Sequence, residues 1–232
     1  SKKNPMKNHY DDIVCSIDIP ELITMGFLAQ NITIAPKEVV DRAELAVKGN
    51  DFQERMMGEK FSAPKYIQST IHAYEKYSKG KKTIIFNATV EHSLRVTEAF
   101  RMAGYNCRHI DGNTPKPERE AAFLWLKNTE DAILCNVGIA TTGFDEPTIL
   151  TVIVNKATMS MPLWLQMSGR GGRIVDADFI EEKQSEYGYP LFPKSAFTII
   201  DMGGNATTHG DWCDARDWND IFHNPKKPSK GA

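Results

Sequence analysis

From Lys81 onward, short apolar runs alternate with stretches whose apolar residues recur at helical spacing, and no other feature constrains the fold as tightly. The runs at 83–87, 107–110, 132–135, 151–154 and 197–201 are four or five residues long. Several are rich in β-branched side chains, which suits strands buried on both faces. Between them, residues 91–103 carry Val96, Ala99, Phe100 and Ala103 on one face and stop at Gly104. Thr114 reads as the cap of a helix with Pro115 in its first turn; that helix runs to Lys127 and turns Ala122, Phe123 and Leu126 inward. A shorter helix at 160–167 is entered through Pro162. Strands and helices alternating through short connections imply crossover units, and so an α/β fold: a parallel sheet with helices on both faces.

Upstream the pattern is looser. Residues 20–28 read as a short helix, 31–35 as a strand and the charged stretch 37–57 as helical. Ser62 looks like the cap of a long helix with Ile67, Thr70, Ile71 and Tyr74 inward, ending at 78–80. Residues 1–80 are thus expected to form a lead-in segment with a helical character, 81–223 the core, and 224–232, with two Pro and three Lys, a flexible tail.

Composition removes several classes of function. A chain of 232 residues with 41% hydrophobic content can bury one sizeable core, and its net charge of −2 rules out a basic coat for holding nucleic acid. No run reaches the roughly 18–20 apolar residues of a membrane span. Cys15, Cys107, Cys135 and Cys213 are scattered and the six His show no metal spacing, so no metal site is expected and a cytoplasmic location fits best. Trp125, Trp164, Trp212 and Trp218 are expected in the core or in packing contacts rather than as platforms for bases.

Chemistry concentrates in a few stretches. In Gln166-Met-Ser-Gly169-Arg170-Gly-Gly-Arg173, two arginines three residues apart can project from one compact turn. Planar, permanently charged guanidinium groups suit the charge on a transferring phosphoryl group, and the glycines allow the backbone close to a ligand or a facing lobe. In the stretch from Asn136 to Pro147, Asp145 follows a Gly-containing turn and can accept from a ribose hydroxyl. Thr141, Thr142 and free backbone N–H groups before it can hold phosphates, although capping a short helix is the plainer use of such residues. Asn87 and Thr89 follow the first core strand, and Asp111-Gly112-Asn113-Thr114 follows the second. Because ligands of such sheets sit beyond the carboxyl ends of the strands, all these loops, that around Gly169 included, are expected on one functional edge.

The order of these pieces resembles the C-terminal, RecA-like lobe of superfamily 2 helicases of the DEAD/DEAH type, in the subgroup found in phage and bacterial DNA repair and recombination. Residues 84–86 with the following loop look like motif IV, 133–145 like motif V, and Gln166-x-x-Gly-Arg170-x-x-Arg173 like motif VI. The resemblance covers 81–205, and more weakly 10–35. It implies that Arg170 and Arg173, supported by Gln166, reach ATP held on another lobe, and that Gly143, Asp145 and Gly169 lie against the nucleotide. It also implies that Asn87, Thr89, Asp111, Gly112, Asn113, Thr114, Thr141 and Thr142 lie nearest the nucleic-acid track. Val137 departs from the pattern: many relatives carry a hydroxyl there, and valine cannot bond a phosphate.

These 232 residues hold neither a Gly-x-x-x-x-Gly-Lys-Ser/Thr phosphate loop nor an Asp-Glu-x-His/Asp box. ATP and Mg2+ are therefore expected to be held mainly by an N-terminal lobe of the same parent chain, and this chain alone is expected to be inactive as an ATPase. DNA is favoured over RNA as the strand, and no membrane partner is expected. Two rival readings are a helicase-like docking module without activity and a lobe of a sugar-nucleotide transferase. The paired arginines argue against both.

Overall fold

The computed structural model describes residues 6–139 and 145–224. Six of its strands form one parallel sheet in the order β1-β8-β7-β4-β6-β5: β1 (Gln30–Ile34), β4 (Thr83–Asn87), β5 (Cys107–Ile110), β6 (Ile133–Asn136), β7 (Thr151–Asn155) and β8 (Ala196–Asp201). The other two, β2 (Val47–Lys48) and β3 (Asp51–Phe52), make a small hairpin, and a short helix, α1 (Ile19–Thr24), precedes β1. The parallel α/β sheet expected from the alternating core is present, and β1 from the lead-in segment completes it at one border.

Strand alternation sorts the core into two layers. Ile85, Ile133, Cys135, Ile153 and Ile200 face one way, and the helices α2 (Glu54–Phe61), α3 (Pro64–Ser78) and α4 (Val90–Met102) cover them with Phe61, Tyr74 and Phe100. Ile84, Phe86, Val152, Val154 and Ile199 face the other way, against Trp164 and Met167 of α6 (Met161–Ser168) and Trp212. A third, smaller cluster of Ile110, Leu126 and Leu134 sits under α5 (Lys116–Asn128). Each fully buried Ile, Val or Phe contributes about 1.5–3 kcal/mol relative to exposure, so these layers carry the fold.

Several local expectations are corrected. The stretch 37–57 is not one helix: Val47 pairs with Phe52 and Lys48 with Asp51 across the two-residue loop Gly49-Asn50, whose glycine sits at φ 69°. A two-residue loop with a left-handed glycine is a hairpin turn, and the helical parts of the stretch are the 3-10 turn Arg42–Glu44 and the start of α2. Ser62 ends α2 rather than starting α3, because Pro64 sets the first turn of the next helix. Thr114 does not cap α5, which starts at Lys116 behind Pro115; its Oγ1 instead accepts from the Asp111 N–H at 2.8 Å. The stretch between Arg173 and β8, whose polarity shows no regular period, contains α7 (Ala177–Lys183) and a 3-10 turn, Gln184–Glu186. After β8 come the short helices α8 (Asn205–His209) and α9 (Trp218–His223). The predicted tail beyond residue 224 lies outside the described residues. Among the described residues no helix is long and apolar enough to cross a membrane.

Candidate functional site: two edges of one sheet

The chemistry-bearing loops do not share one edge, as the carboxyl-end rule suggested. Helix α6 follows β7 and returns antiparallel to the strands, so the turn behind it arrives at the amino ends. There Ala29 N–H donates to the Gly172 carbonyl at 2.8 Å, Leu28 bridges Arg173, and Gly171 lies over Phe197 at the start of β8. Asn87, Thr89 and 111–114 stand at the opposite, carboxyl edge. Asp145 is described beside the arginine turn, whereas Thr141, Thr142 and Gly143 lie outside the described residues.

Helix α6 is capped at its start by Ser160, which accepts from Leu163 N–H at 3.3 Å, and it ends at the amino edge, where Gly169 leads into the 3-10 turn Gly169–Gly171. Arg170 is half-buried on this turn. Burial lowers the pKa of its guanidinium below the ordinary arginine value, and the nearby Asp145 carboxylate opposes that. Arg173 is exposed and donates from Nη1 to Asp145 Oδ2 at 2.9 Å. The structure thus brings Asp145, Arg170 and Arg173 together. Gln166 is exposed on α6, one turn before.

The glycines have a reason the sequence reading missed. A Cβ on Gly171 would sit 2.2 Å from Phe197 Cδ2, on Gly172 2.8 Å from Trp212 Cη2, and on Gly169 3.2 Å from Trp212 Nε1. Their closest neighbours are this chain's own aromatic rings, so the turn is pressed onto Phe197 and Trp212, which meet edge to face at 5.3 Å. The arginines rest on a packed floor. Trp164 and Trp212 are core residues, as expected, at 0% and 4% exposure.

The carboxyl edge is organised by a buried polar chain. Asn155 Nδ2 donates to Asn87 Oδ1 (3.1 Å), Asn87 Nδ2 to Ser93 Oγ (3.1 Å), Ser93 meets His109 Nδ1 (2.7 Å), and His109 Nε2 meets Asp111 Oδ2 (3.1 Å). The Asn87 side chain, 1% exposed, is therefore used inside the fold. Thr89 caps α4 by accepting from His92 N–H at 3.2 Å and lies against Gly58 of α2. Burial pushes His92 down to about 3, so it is neutral at physiological pH. Asp111 accepts from the N–H groups of Asn113 (2.7 Å) and Thr114 (3.1 Å). Burial opposes its ionisation, but His109 and these N–H donors outweigh it and hold the carboxyl below its ordinary value. This fixes a turn in which Gly112 and Asn113 are exposed and Thr114 is half-buried.

No role was read for Lys82, Glu146, Tyr187, Tyr189 and Lys194, which cluster near the amino edge. Lys82 and Lys194 are 1% and 5% exposed. Burial pulls the first to about 8 and the second to about 7, with Glu146 opposing in both. Nothing in the sequence marks a lysine as buried, so no signal could have found them; Glu146 directly follows Asp145 in the chain. Among the described residues no three His, Cys, Asp or Glu side chains converge as a metal site would require.

Comparison with known proteins fits this geometry. Residues 63–175, from α3 through Arg173, match the helicase conserved C-terminal domain. Residues 63–175 thus carry a helicase C-terminal domain. This helicase lobe is 28% identical over 204 residues to a 51.5 kDa protein of a Lactococcus phage, covering 86% of the chain and 41% of the relative. It is 30% identical over 165 residues to a Schizosaccharomyces pombe protein described as a mitochondrial ATP-dependent helicase, covering 71% of the chain and 27% of the relative. The lobe thus spans less than half the length of either relative. In fold it is similar to the HsdR subunit of a type I restriction enzyme from Vibrio vulnificus, at TM-score 0.64 and 20% identity over 91% of the lobe and 39% of that chain. It is also similar to the type ISP restriction-modification enzyme LlaBIII, at TM-score 0.52 and 18% identity over 79% of the lobe and 12% of that chain. These likenesses are of fold: a RecA-like parallel sheet with helices around it.

Proposed function

We propose that this chain is the C-terminal motor lobe of an ATP-dependent DNA helicase or translocase, supplying arginine fingers to ATP held on an N-terminal lobe and part of the nucleic-acid track. The observation that carries the reading is the pair Arg170 and Arg173 on one rigid turn beside Asp145, at the edge opposite the exposed turn 111–114. A motor needs its phosphate-facing and strand-facing groups on separate surfaces, and the two edges of this sheet provide them.

The residues present fit one side of a bound ATP. Two guanidinium groups can neutralise phosphate oxygens, and Asp145 can trade its bond to Arg173 for a ribose hydroxyl. Bound ATP supplies the phosphoryl group, and Mg2+ with the phosphate loop belongs to the facing lobe. Arg170 holds its charge at the phosphates, and Arg173 is steered there by Asp145. Gly169 keeps the turn on Trp212, and Gln166 supports the nucleotide-facing side of α6. Closure of the lobes on ATP and release after hydrolysis would step the pair along the strand.

At the other edge, Thr89, Gly112, Asn113 and Thr114 lie along the strand, Asn87 and Asp111 hold that surface from beneath, and Thr141 and Thr142 are assigned by sequence alone. DNA rather than RNA rests on the resemblance to the phage and bacterial subgroup, and the partners are DNA and an N-terminal lobe. The reading is checked by Asn113→Ala in the protein joined to its ATP-binding lobe. The DNA concentration for half-maximal stimulation of turnover is expected to rise about two- to tenfold, the effect of one hydrogen bond of about 0.5–1.5 kcal/mol. An unchanged DNA titration would remove the 111–114 turn from the track.

A further inference from the structure

Between Arg173 and β8, residues 176–194 leave the arginine turn, cross to Lys127 and Lys82, and return. The base of this strap is closed by an antiparallel bridge: Val175 N–H donates to the Lys194 carbonyl at 3.0 Å, and Lys194 N–H to the Val175 carbonyl at 2.7 Å. Its far turn brings Tyr187 onto Glu146 and Tyr189 onto Thr148, just after the motif V stretch.

The contacts there run in one direction. Lys82 Nζ donates to Tyr189 Oη (2.6 Å), Tyr189 Oη to Thr148 Oγ1 (3.1 Å), and Thr148 Oγ1 to Glu146 Oε1 (2.6 Å). Tyr187 Oη donates to the same Glu146 oxygen at 3.0 Å, and so does Thr148 N–H at 3.1 Å. Lys194 Nζ donates to the Pro147 carbonyl at 2.8 Å. Each hydroxyl in the chain has one donor behind it and one acceptor ahead, so the order is consistent with an ammonium at one end and a carboxylate at the other. Glu146 is 6% exposed. Buried charges are a poor way to add stability compared with apolar packing, and their best-attested use is to fix one arrangement among several.

The arrangement fixed here is adjacent to the arginines. Glu146 follows Asp145 in the chain, and the bridge from Val175 to Lys194 begins two residues after Arg173. Both members of the exposed Asp145–Arg173 pair are therefore anchored, one residue or two away, to the same buried cluster. An exposed ion pair by itself holds its geometry weakly.

We propose that Glu146, clamped by Tyr187 and Thr148, is a positioning residue that sets the Asp145–Arg173 pair and through it the arginine turn. Its kinetic consequence rests on the function proposed above; its structural consequence does not. The test reads both. In this chain, the Arg173 guanidinium NMR signal of Asp145→Asn defines the unpaired state. The signal of Tyr187→Phe, which removes one hydrogen bond and keeps the ring, is expected to move toward that reference, as is the signal of Glu146→Gln. In the chain joined to its ATP-binding lobe, the same variants are expected to lower kcat about tenfold, as loss of one hydrogen bond to a charged group does, with KM for ATP within about twofold. An Arg173 signal that stays at the parent position in both folded variants, whatever their thermal midpoint or turnover, would overturn the proposal and leave Glu146 a structural residue. A signal that moves in a protein without ATP turnover would keep the positioning role and count against the motor reading instead.

Discussion

Arg170→Ala, in the chain joined to its ATP-binding lobe, is expected to lower nucleic-acid-stimulated ATP turnover by about two orders of magnitude or more, the scale at which arginine fingers act. Arg170 is half-buried on a turn held against Trp212 and Phe197, so its guanidinium is presented with little freedom to lose. DNA affinity should change little, because the exposed 111–114 turn stands at the opposite edge of the sheet. Arg170→Lys should restore only a small part of the rate, since a point charge cannot reproduce the planar fork. Steady-state turnover with DNA saturating, paired with a DNA-binding titration, checks all three statements. A mutant within about threefold of the parent would remove Arg170 from the chemistry.

Trp212→Ala is the substitution expected to affect stability most. Its ring is 4% exposed, meets Phe197 edge to face and forms the floor under Gly169 and Gly172. Removing a buried Trp costs about 3–5 kcal/mol in lost burial and residual cavity. That is a large share of the roughly 5–15 kcal/mol that holds a domain together. For a chain of this size the midpoint of thermal unfolding should fall by about 10 °C. The same cavity lies directly beneath the arginine turn, so turnover should fall more than stability alone explains at temperatures where the mutant is folded. Denaturant unfolding followed by tryptophan-independent circular dichroism reads the first effect. A loss below about 1 kcal/mol would mean that the turn does not rest on this ring.

What the sequence made legible follows from how locally each feature is encoded. The five core strands were readable because short apolar runs flanked by helical periodicity have few alternative uses, and the motif order pointed to a helicase C-terminal lobe. The stretch 37–57 misled because its charged composition suits a helix, whereas the Gly49-Asn50 loop turns it into a hairpin. Arg42 within it is buried through bonds to Gly203 and Thr158 carbonyls, partners far along the chain that no local pattern announces. The glycines between the arginines were visible, but their reason was not, since Trp212 is distant in sequence. The division of the site between two edges was in principle deducible: a helix following a parallel strand carries the chain back, so the turn after α6 belongs to the amino ends. The strap 176–194 shows no periodicity because its tyrosines and Lys194 bury their polar ends against Glu146, Thr148 and Pro147 rather than joining an apolar face.

The central claim, that this chain is one half of a motor, is tested most directly by ATP turnover of the chain alone and of the chain joined to a lobe carrying a phosphate loop, each with and without DNA and RNA. The account predicts negligible turnover by the chain alone and turnover by the joined protein that DNA raises at least about tenfold and RNA raises less. DNA-stimulated hydrolysis by the chain alone, or a joined protein indifferent to nucleic acid, would contradict it.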